Sequence, residues 1–221
     1  MTYAWDFNVI YTYREVLLVG LGNTLLYTFA CIVGGLLVGL LAAFGRLSPL
    51  MIVRWPTQLL VEIFRCTPLL VILIWFYYAL PALLGVQISA LTAGLLALSL
   101  YGGSFYGEII RAGIISIDIG QREAAQALGM RRGDAMRRII LPQALRRMVP
   151  PLMNQSILQL KNTSLVSVLA LPDLIYQGQL VTHETYRPLE VYTTVAVVYF
   201  AILFPATLLV QRLERRFDTK A

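Results

Sequence analysis

Charge is scarce in this chain: only 14 % of its 221 residues are Asp, Glu, Lys or Arg, against about 25 % in an ordinary soluble domain. The charges present are bunched, leaving several windows of about twenty residues with almost none, the length that crosses a bilayer core of about 30 Å as a helix. Histidine is nearly missing. His183 stands alone, so a histidine-based metal centre or catalytic dyad is not expected. Cys31 and Cys66 are the only cysteines; both fall inside apolar segments, with neither metal-ligand spacing nor a disulfide setting, and read as two small buried thiols. The lysines are Lys161, followed by Asn162, and Lys220, followed by Ala221. A phosphate-binding P-loop needs Gly-Lys followed by Ser or Thr, so no ATP site is expected here. The first fifteen residues contain Asp6, Arg14 and Glu15 and lack a basic leader, so no cleavable signal peptide is expected.

What fills the chain is apolar: 58 % hydrophobic residues and a mean hydropathy of +0.70. The class is a polytopic all-α membrane protein. Five transmembrane helices are expected, at about 16–44, 56–80, 88–115, 149–171 and 191–213, with an N-terminal segment 1–15 and a tail 214–221. Gly34, Gly35 and Gly39 in the first offer a surface for close helix packing. Arg46 and Arg54 lie after the first span and seven arginines lie in 116–148, whereas 81–87 has no charge and 173–190 has one Arg and three acids. Positive residues mark the cytoplasmic side, so the N-terminus is expected outside and the C-terminus inside. The net charge of +6 is thereby explained by lipid headgroups and topology, without nucleic acid.

The longest polar connection, 116–148, is more than basic filler. Glu123 to Leu128 are strong helix formers, and Gly129 suits the left-handed position after a helix end. A second short helix is expected to begin near Asp134 and to stop before Pro142. Small residues at Ala124, Ala125 and Ala127 give the resulting knob a face that fits closely into a partner's groove. The spacing Glu123-Ala124-Ala125, three residues, Gly129, nine residues, then Ile139-x-Leu141-Pro142 matches in full the EAA motif of ABC-importer permeases.

Other segments resemble the polar amino-acid branch of that family, the histidine/glutamate/glutamine/arginine/opine type. They are Glu62-Ile63-Phe64-Arg65-Cys66-Thr67-Pro68-Leu69, Tyr106-Gly107-Glu108-Ile109-Ile110-Arg111-Ala112-Gly113, and Lys161-Asn162-Thr163-Ser164-Leu165. The similarity covers roughly Gly20 to Arg215. Cys66 stands where the family often has Gly, and Asn162 where Asp is frequent, the second bearing on substrate charge. The stretch Leu73-Ile74-Trp75-Phe76-Tyr77 with Pro81 looks closest to the glutamate/aspartate branch. The resemblance implies a type I ABC importer of MetI-like fold in the bacterial inner membrane. Two permease subunits, identical or paralogous, would sit on two ABC ATPase subunits that bind ATP and Mg. A periplasmic solute-binding protein would deliver an amino acid. Glu123, Ala124, Ala125, Gly129, Ile139, Leu141 and Pro142 would then form the coupling helix that docks into the ATPase.

Within the spans, charges are expensive and point to function. Glu62 with Arg65, and Glu108 with Arg111, are three residues apart and able to pair on one helix face, which makes a structural or gating role the simple reading. Pro68 removes a backbone hydrogen bond in the second span, and such a break is tolerated only against protein or a wet cavity. Arg65 and Thr67 beside it, and Lys161, Asn162, Thr163 and Ser164 in the fourth span, are candidates for a solute path; packing at a subunit interface is the alternative. A secondary transporter or a channel is the competing class, but only one broken helix is visible where paired repeats would show two.

Overall fold

The computed structural model describes residues 3–218. It is all-helical there: α1 (Asn8–Thr12), α2 (Arg14–Leu47), α3 (Met51–Cys66), α4 (Leu69–Ile74), α5 (Leu80–Leu84), α6 (Ala90–Ile115), α7 (Ile119–Ala127), α8 (Arg132–Ala135), α9 (Leu141–Thr163), α10 (Leu174–Thr185) and α11 (Pro188–Asp218). Two π-helical turns, Trp75–Ala79 and Met136–Ile140, and a 3₁₀ turn, Ser164–Leu169, join neighbouring helices. The last three residues of the expected tail, Lys220 among them, and the first two of the chain lie outside the described residues.

Among the described residues, α2 and Pro188–Arg215 of α11 are each long and apolar enough to cross a bilayer alone. Two bent pairs pass the same test jointly: Met51–Cys66 with Leu69–Leu84 at 109°, and Arg132–Leu169 with Leu174–Thr185 at 47°. The helix α6 has the length, about 39 Å at 1.5 Å per residue, but Gly, Ser and Tyr residues together with Glu108 and Arg111 dilute its hydropathy. It is the central helix of the fold.

Glycines set that centre. A Cβ on Gly39 would lie 2.7 Å from Tyr106 Cβ, 2.8 Å from Gly107 N and 3.0 Å from Gly103 O. The backbones of α2 and α6 therefore touch, with Gly35 and Gly39 on one helix meeting Gly103 and Gly107 on the other at four-residue spacing. The glycine surface expected on the first span has α6 as its partner. Contacts run Gly34 to Ser99 and Gly39 to Tyr106, so the two helices are parallel. The helix α9 returns antiparallel: Tyr106 Oη and Ser156 Oγ are 3.0 Å apart, and Gln159 Nε2 donates to Leu98 O at 3.1 Å. At one end, α11 packs with α2 and α10 around Leu17, Leu174, Val181, Val191 and Val195. Its other end reaches Asn154, whose Nδ2 donates to Glu214 Oε1 at 2.8 Å. The first described residues and the end of α11 thus lie at opposite ends of the bundle.

Three sequence expectations are corrected. The stretch 173–190 is not a plain connection: Asp173 caps the new helix α10 by accepting from Tyr176 N at 2.8 Å. The helix after Gly129 begins at Arg132, before Asp134, and does not end at Pro142; the π turn carries it on into α9. Only Cys31 is a buried thiol, since Cys66 is exposed at the end of α3. The break at Pro68 is present as a 109° change of direction. Thr67 is extended at φ −98° and ψ 134°, as the residue before a proline prefers.

Candidate functional site

The segment 116–148 is a folded knob at one end of the bundle. The Asp118 side chain caps α7, accepting from Gly120 N at 2.6 Å. At the other end Gly129 N donates to Gln126 O at 2.9 Å and Met130 N to Ala125 O at 3.0 Å, with Gly129 at φ 74°. This is a Schellman close, in which the carbonyls left at a helix end are satisfied through a left-handed glycine. A Cβ on Gly129 would meet nothing within 4 Å, so its backbone conformation alone selects glycine.

One face of the knob is anchored and the other is free. Ala125, Ala135 and Ile140 are buried, and Ile140 joins Ile114, Ile117, Ala144 and Met148 in a small core. Arg147 Nη1 donates to Ser116 O at 2.5 Å, and Gln143 Nε2 to Gln121 Oε1 at 3.3 Å, tying α9 to the base of α7. Glu123, Ala124, Gly129, Leu141 and Pro142 are exposed and Ile139 is half-buried. Leu128 is 80 % exposed and Ile119 71 %. The sequence reading used Leu128 only as a helix former; a leucine beside the closing glycine was the available signal.

The paired charges form one cluster. Glu62 accepts from Arg65 at 3.3 Å, and Glu108 from Arg111 at 2.5 Å, the two pairs expected from spacing. Arg46 links them, bonded to Glu108 and 3.8 Å from Glu62, with its side chain only 8 % exposed. The cluster joins the knob-side end of α2 to α3 and α6. Arg46, read from sequence as a topology signal, is its centre; no local pattern ties residue 46 to residues 62 and 108.

The polar patches of the second and fourth spans sit close but do not bond. The helix α4, which begins after Pro68, packs against the 3₁₀ turn Ser164–Leu169, and Leu69, Ile72 and Leu73 share a core with Val166 and Leu169. Arg65 turns away, toward Glu62 and over the Phe105 ring at 5.7 Å. Thr67 and Asn162 are half-buried and Lys161 is exposed. Ser164 Oγ donates to Lys161 O at 2.7 Å. Thr163 is fully buried, its hydroxyl donating to Leu160 O at 2.7 Å and lying 3.0 Å from Thr28 Oγ1, so it holds α9 to α2. Among the described residues, no hydrogen bond or ion pair joins Arg65 or Thr67 to Lys161–Ser164, and no group of His, Cys, Asp and Glu could hold a metal ion.

Residues 35–219 match the family described as binding-protein-dependent transport system inner membrane component. The chain is 38 % identical over 213 residues to the glutamine transport system permease protein GlnP of Escherichia coli strain K12, covering 96 % of this chain and 97 % of the relative. It is 39 % identical over 221 residues to the glutamate/aspartate import permease protein GltK of Escherichia coli O6:H1, covering 97 % and 99 %. A crystal structure of an amino acid ABC transporter with histidines superposes at a TM-score of 0.91 and 37 % identity, over 97 % of this chain and all of that one.

Proposed function

We propose a function from one premise: the chain belongs to the family of binding-protein-dependent transport system inner membrane components, and it is a multi-pass protein of the bacterial inner membrane with the MetI-like type I importer fold. On that footing it is the permease subunit of an ATP-driven importer for a polar amino acid of the glutamine or glutamate/aspartate kind. The reading takes five crossings: α2, the bent α3–α5, α6, α9 with its 3₁₀ turn, and α11. The parallel course of α2 and α6 requires one crossing between them, and the arginine-rich knob marks the cytoplasmic end. The N-terminus is then outside and the C-terminus inside.

The observation that carries the reading is the EAA spacing folded as a Schellman-closed knob on a helix that continues into the bundle. A separate ATPase, with its ATP and Mg, docks on Glu123, Ala124, Gly129 and the exposed π turn. A second permease subunit completes the path, and a periplasmic binding protein delivers the solute. Lys161, Asn162 and Ser164, with Arg65 and Thr67 across the packed α4 contact, are the candidates for meeting it, the cations taking the carboxylate. Glu62, Pro68, Glu108 and Arg111 hold the cytoplasmic side of that path.

The test is reconstitution with candidate ATPase subunits in vesicles holding ATP, against labelled Gln, Glu, Asp, Arg and His. Uptake that needs both ATP hydrolysis and the intact knob is expected; full uptake by the chain alone would refute the reading. An Asn162→Asp variant is expected to reorder the amino-acid ranking. An unchanged ranking would remove Asn162 from the path.

A further inference from the structure

The end of the bundle opposite the knob carries an aromatic group that the transport reading leaves unused. Tyr3, Trp5, Phe7 and Tyr11 are all exposed, at 45, 54, 51 and 71 %. They are not on a loose tail. Glu190, fully buried, accepts from Tyr3 Oη at 2.5 Å and from Asp6 N at 2.9 Å. Arg187 Nη1 donates to Ala4 O at 2.7 Å and sits 3.3 Å from Glu190 Oε1. Residues 3–6 are thereby clamped to the turn between α10 and α11. From the next turn of chain, Val9, Ile10 and Tyr13 pack inward on the core formed by Leu17, Leu174 and Val191. The Trp5 and Phe7 rings stack at 5.6 Å, and Arg14 lies over Tyr11 at 4.2 Å.

A rigid clamp that holds large apolar rings outward needs something to receive them. Beyond the exposed Arg14 and Glu15 the chain runs into the exposed apolar face of α2, where Leu18, Leu25, Leu26 and Phe29 are 43–67 % exposed on a membrane-crossing helix. Aromatic rings with polar edges concentrate where hydrocarbon meets headgroups, and an Arg one turn away reaches phosphate with its charged tip while its stem stays in the apolar layer. We infer that residues 3–14 are an interfacial anchor, with Trp5, Phe7 and Tyr11 seated among lipid headgroups and upper acyl chains and Arg14 at the phosphate level. The Glu190–Arg187 clamp transmits that anchoring to the α10–α11 turn. The occupant is lipid. Which leaflet it belongs to rests on the orientation proposed above, whereas the depth of the segment does not.

The experiment uses the full chain, with any ATPase that copurifies, in phosphatidylcholine/phosphatidylglycerol vesicles. Cys66 is replaced by Ser, the buried Cys31 is kept, and a nitroxide label is attached at Ala4→Cys. Collision of the label with oxygen, which dissolves in lipid, is compared with collision with a nickel chelate, which stays in water. Oxygen is expected to dominate at least threefold. In a Trp5→Ser/Phe7→Ser background the ratio is expected to invert. Dominance of the nickel chelate in the parent label would overturn the proposal, even where ATP-driven transport is intact. So would a ratio unmoved by the serines. Shielding from both reagents that appears only on adding a soluble binding protein would assign the patch to that protein instead, and would overturn it equally.

Discussion

Asp173 carries a prediction whose size follows from its surroundings. Its side chain is completely buried at the start of α10. Oδ1 is used by the Tyr176 amide, while Oδ2 has no hydrogen-bond partner. Among the described residues no guanidinium or ammonium pairs with it; Tyr27 and Tyr199 are the titratable neighbours that feel its charge. Burial disfavours the carboxylate and pushes its pKa from 3.8 to about 6, against the amides at the helix start, which lower it. A group whose pKa rises on folding stabilises the fold while protonated, below its unfolded value, and loses that contribution as pH climbs through the folded value. At about 1.4 kcal/mol for each tenfold change in proton affinity, the ionised form costs about 3 kcal/mol at pH 8 and about half of that at pH 5.

Asp173→Asn keeps the capping oxygen and removes the ionisation. Its added N–H₂ needs a partner of its own, which takes back about 1 kcal/mol. The variant is therefore expected to be about 2 kcal/mol more stable than the parent at pH 8, and within about 1 kcal/mol of it at pH 5. For a chain of this size 1 kcal/mol moves Tm by about 2–4 °C, so the gap between variant and parent should widen by about 3–6 °C from pH 5 to pH 8. Thermal melts of the two proteins in the same detergent, followed by tryptophan fluorescence, measure this. An advantage equal at both pH values, or absent at pH 8, refutes the reasoning, because it would mean the carboxylate is already satisfied when charged.

Gly129→Ala is expected to leave the chain folded, since its Cβ meets open space, while the left-handed backbone costs about 1–2 kcal/mol; transport should fall several-fold, with ATP hydrolysis by the docked ATPase less dependent on solute. Gly39→Ala forces two helix backbones apart and is expected to cost about 1–3 kcal/mol, read as a lowered Tm that Gly22→Ala, which faces open space, does not reproduce. Arg46→Ala removes the buried centre of the charge cluster and is expected to cost about 2 kcal/mol. That is below the 3–5 kcal/mol of a fully buried pair, because Arg111 still faces Glu108. Glu62→Gln, with a half-exposed side chain, should cost under about 1 kcal/mol.

Sequence alone discloses those features that local chemistry decides. Gly129 was legible because a helix end that needs a left-handed residue selects glycine whatever surrounds it. The expected pairs Glu62–Arg65 and Glu108–Arg111 were legible because three-residue spacing on a helix brings side chains together. Features set by distant partners were not. Gly35 and Gly39 announced a contact surface, but nothing near them named Gly103 and Gly107. Nothing near Thr163 named Thr28, 135 residues away, whose Oγ1 lies 3.0 Å from its own. Arg46 obeyed the rule for cytoplasmic connections while serving two carboxylates from other helices. The helix α10 was missed because Asp173, Glu184 and Glu190 made its stretch look like a polar loop. In the fold, Asp173 is a cap, Glu190 a clamp, and only Glu184 faces outward.

Pro142 shows why a correct local rule gave the wrong boundary. A proline inside a helix lacks its N–H, and its ring strikes the carbonyl four residues back, here Arg138. The chain avoids that collision by widening the preceding turn: Leu141 N bonds to Met136 O, five residues back. The same device precedes Pro81, where Leu80 N bonds to Trp75 O. One extra residue per turn carries each proline past its obstacle, and such π turns commonly mark functional positions. From Arg132 to Thr163 the chain is consequently one helical rod, about 48 Å long at 1.5 Å per residue, rather than a short helix, a break and a span. Its exposed π turn lies on the knob, and its far end carries Gln159 into the Leu98 backbone and Thr163 onto Thr28. Pro150 and Pro151 lie inside the rod and each removes a backbone hydrogen bond, so its contacts with α2 and α6 help to hold it straight. On the docking proposed above, a displacement of the knob is expected to reach Lys161–Ser164 or to break the hydrogen bonds that seat Gln159 and Thr163.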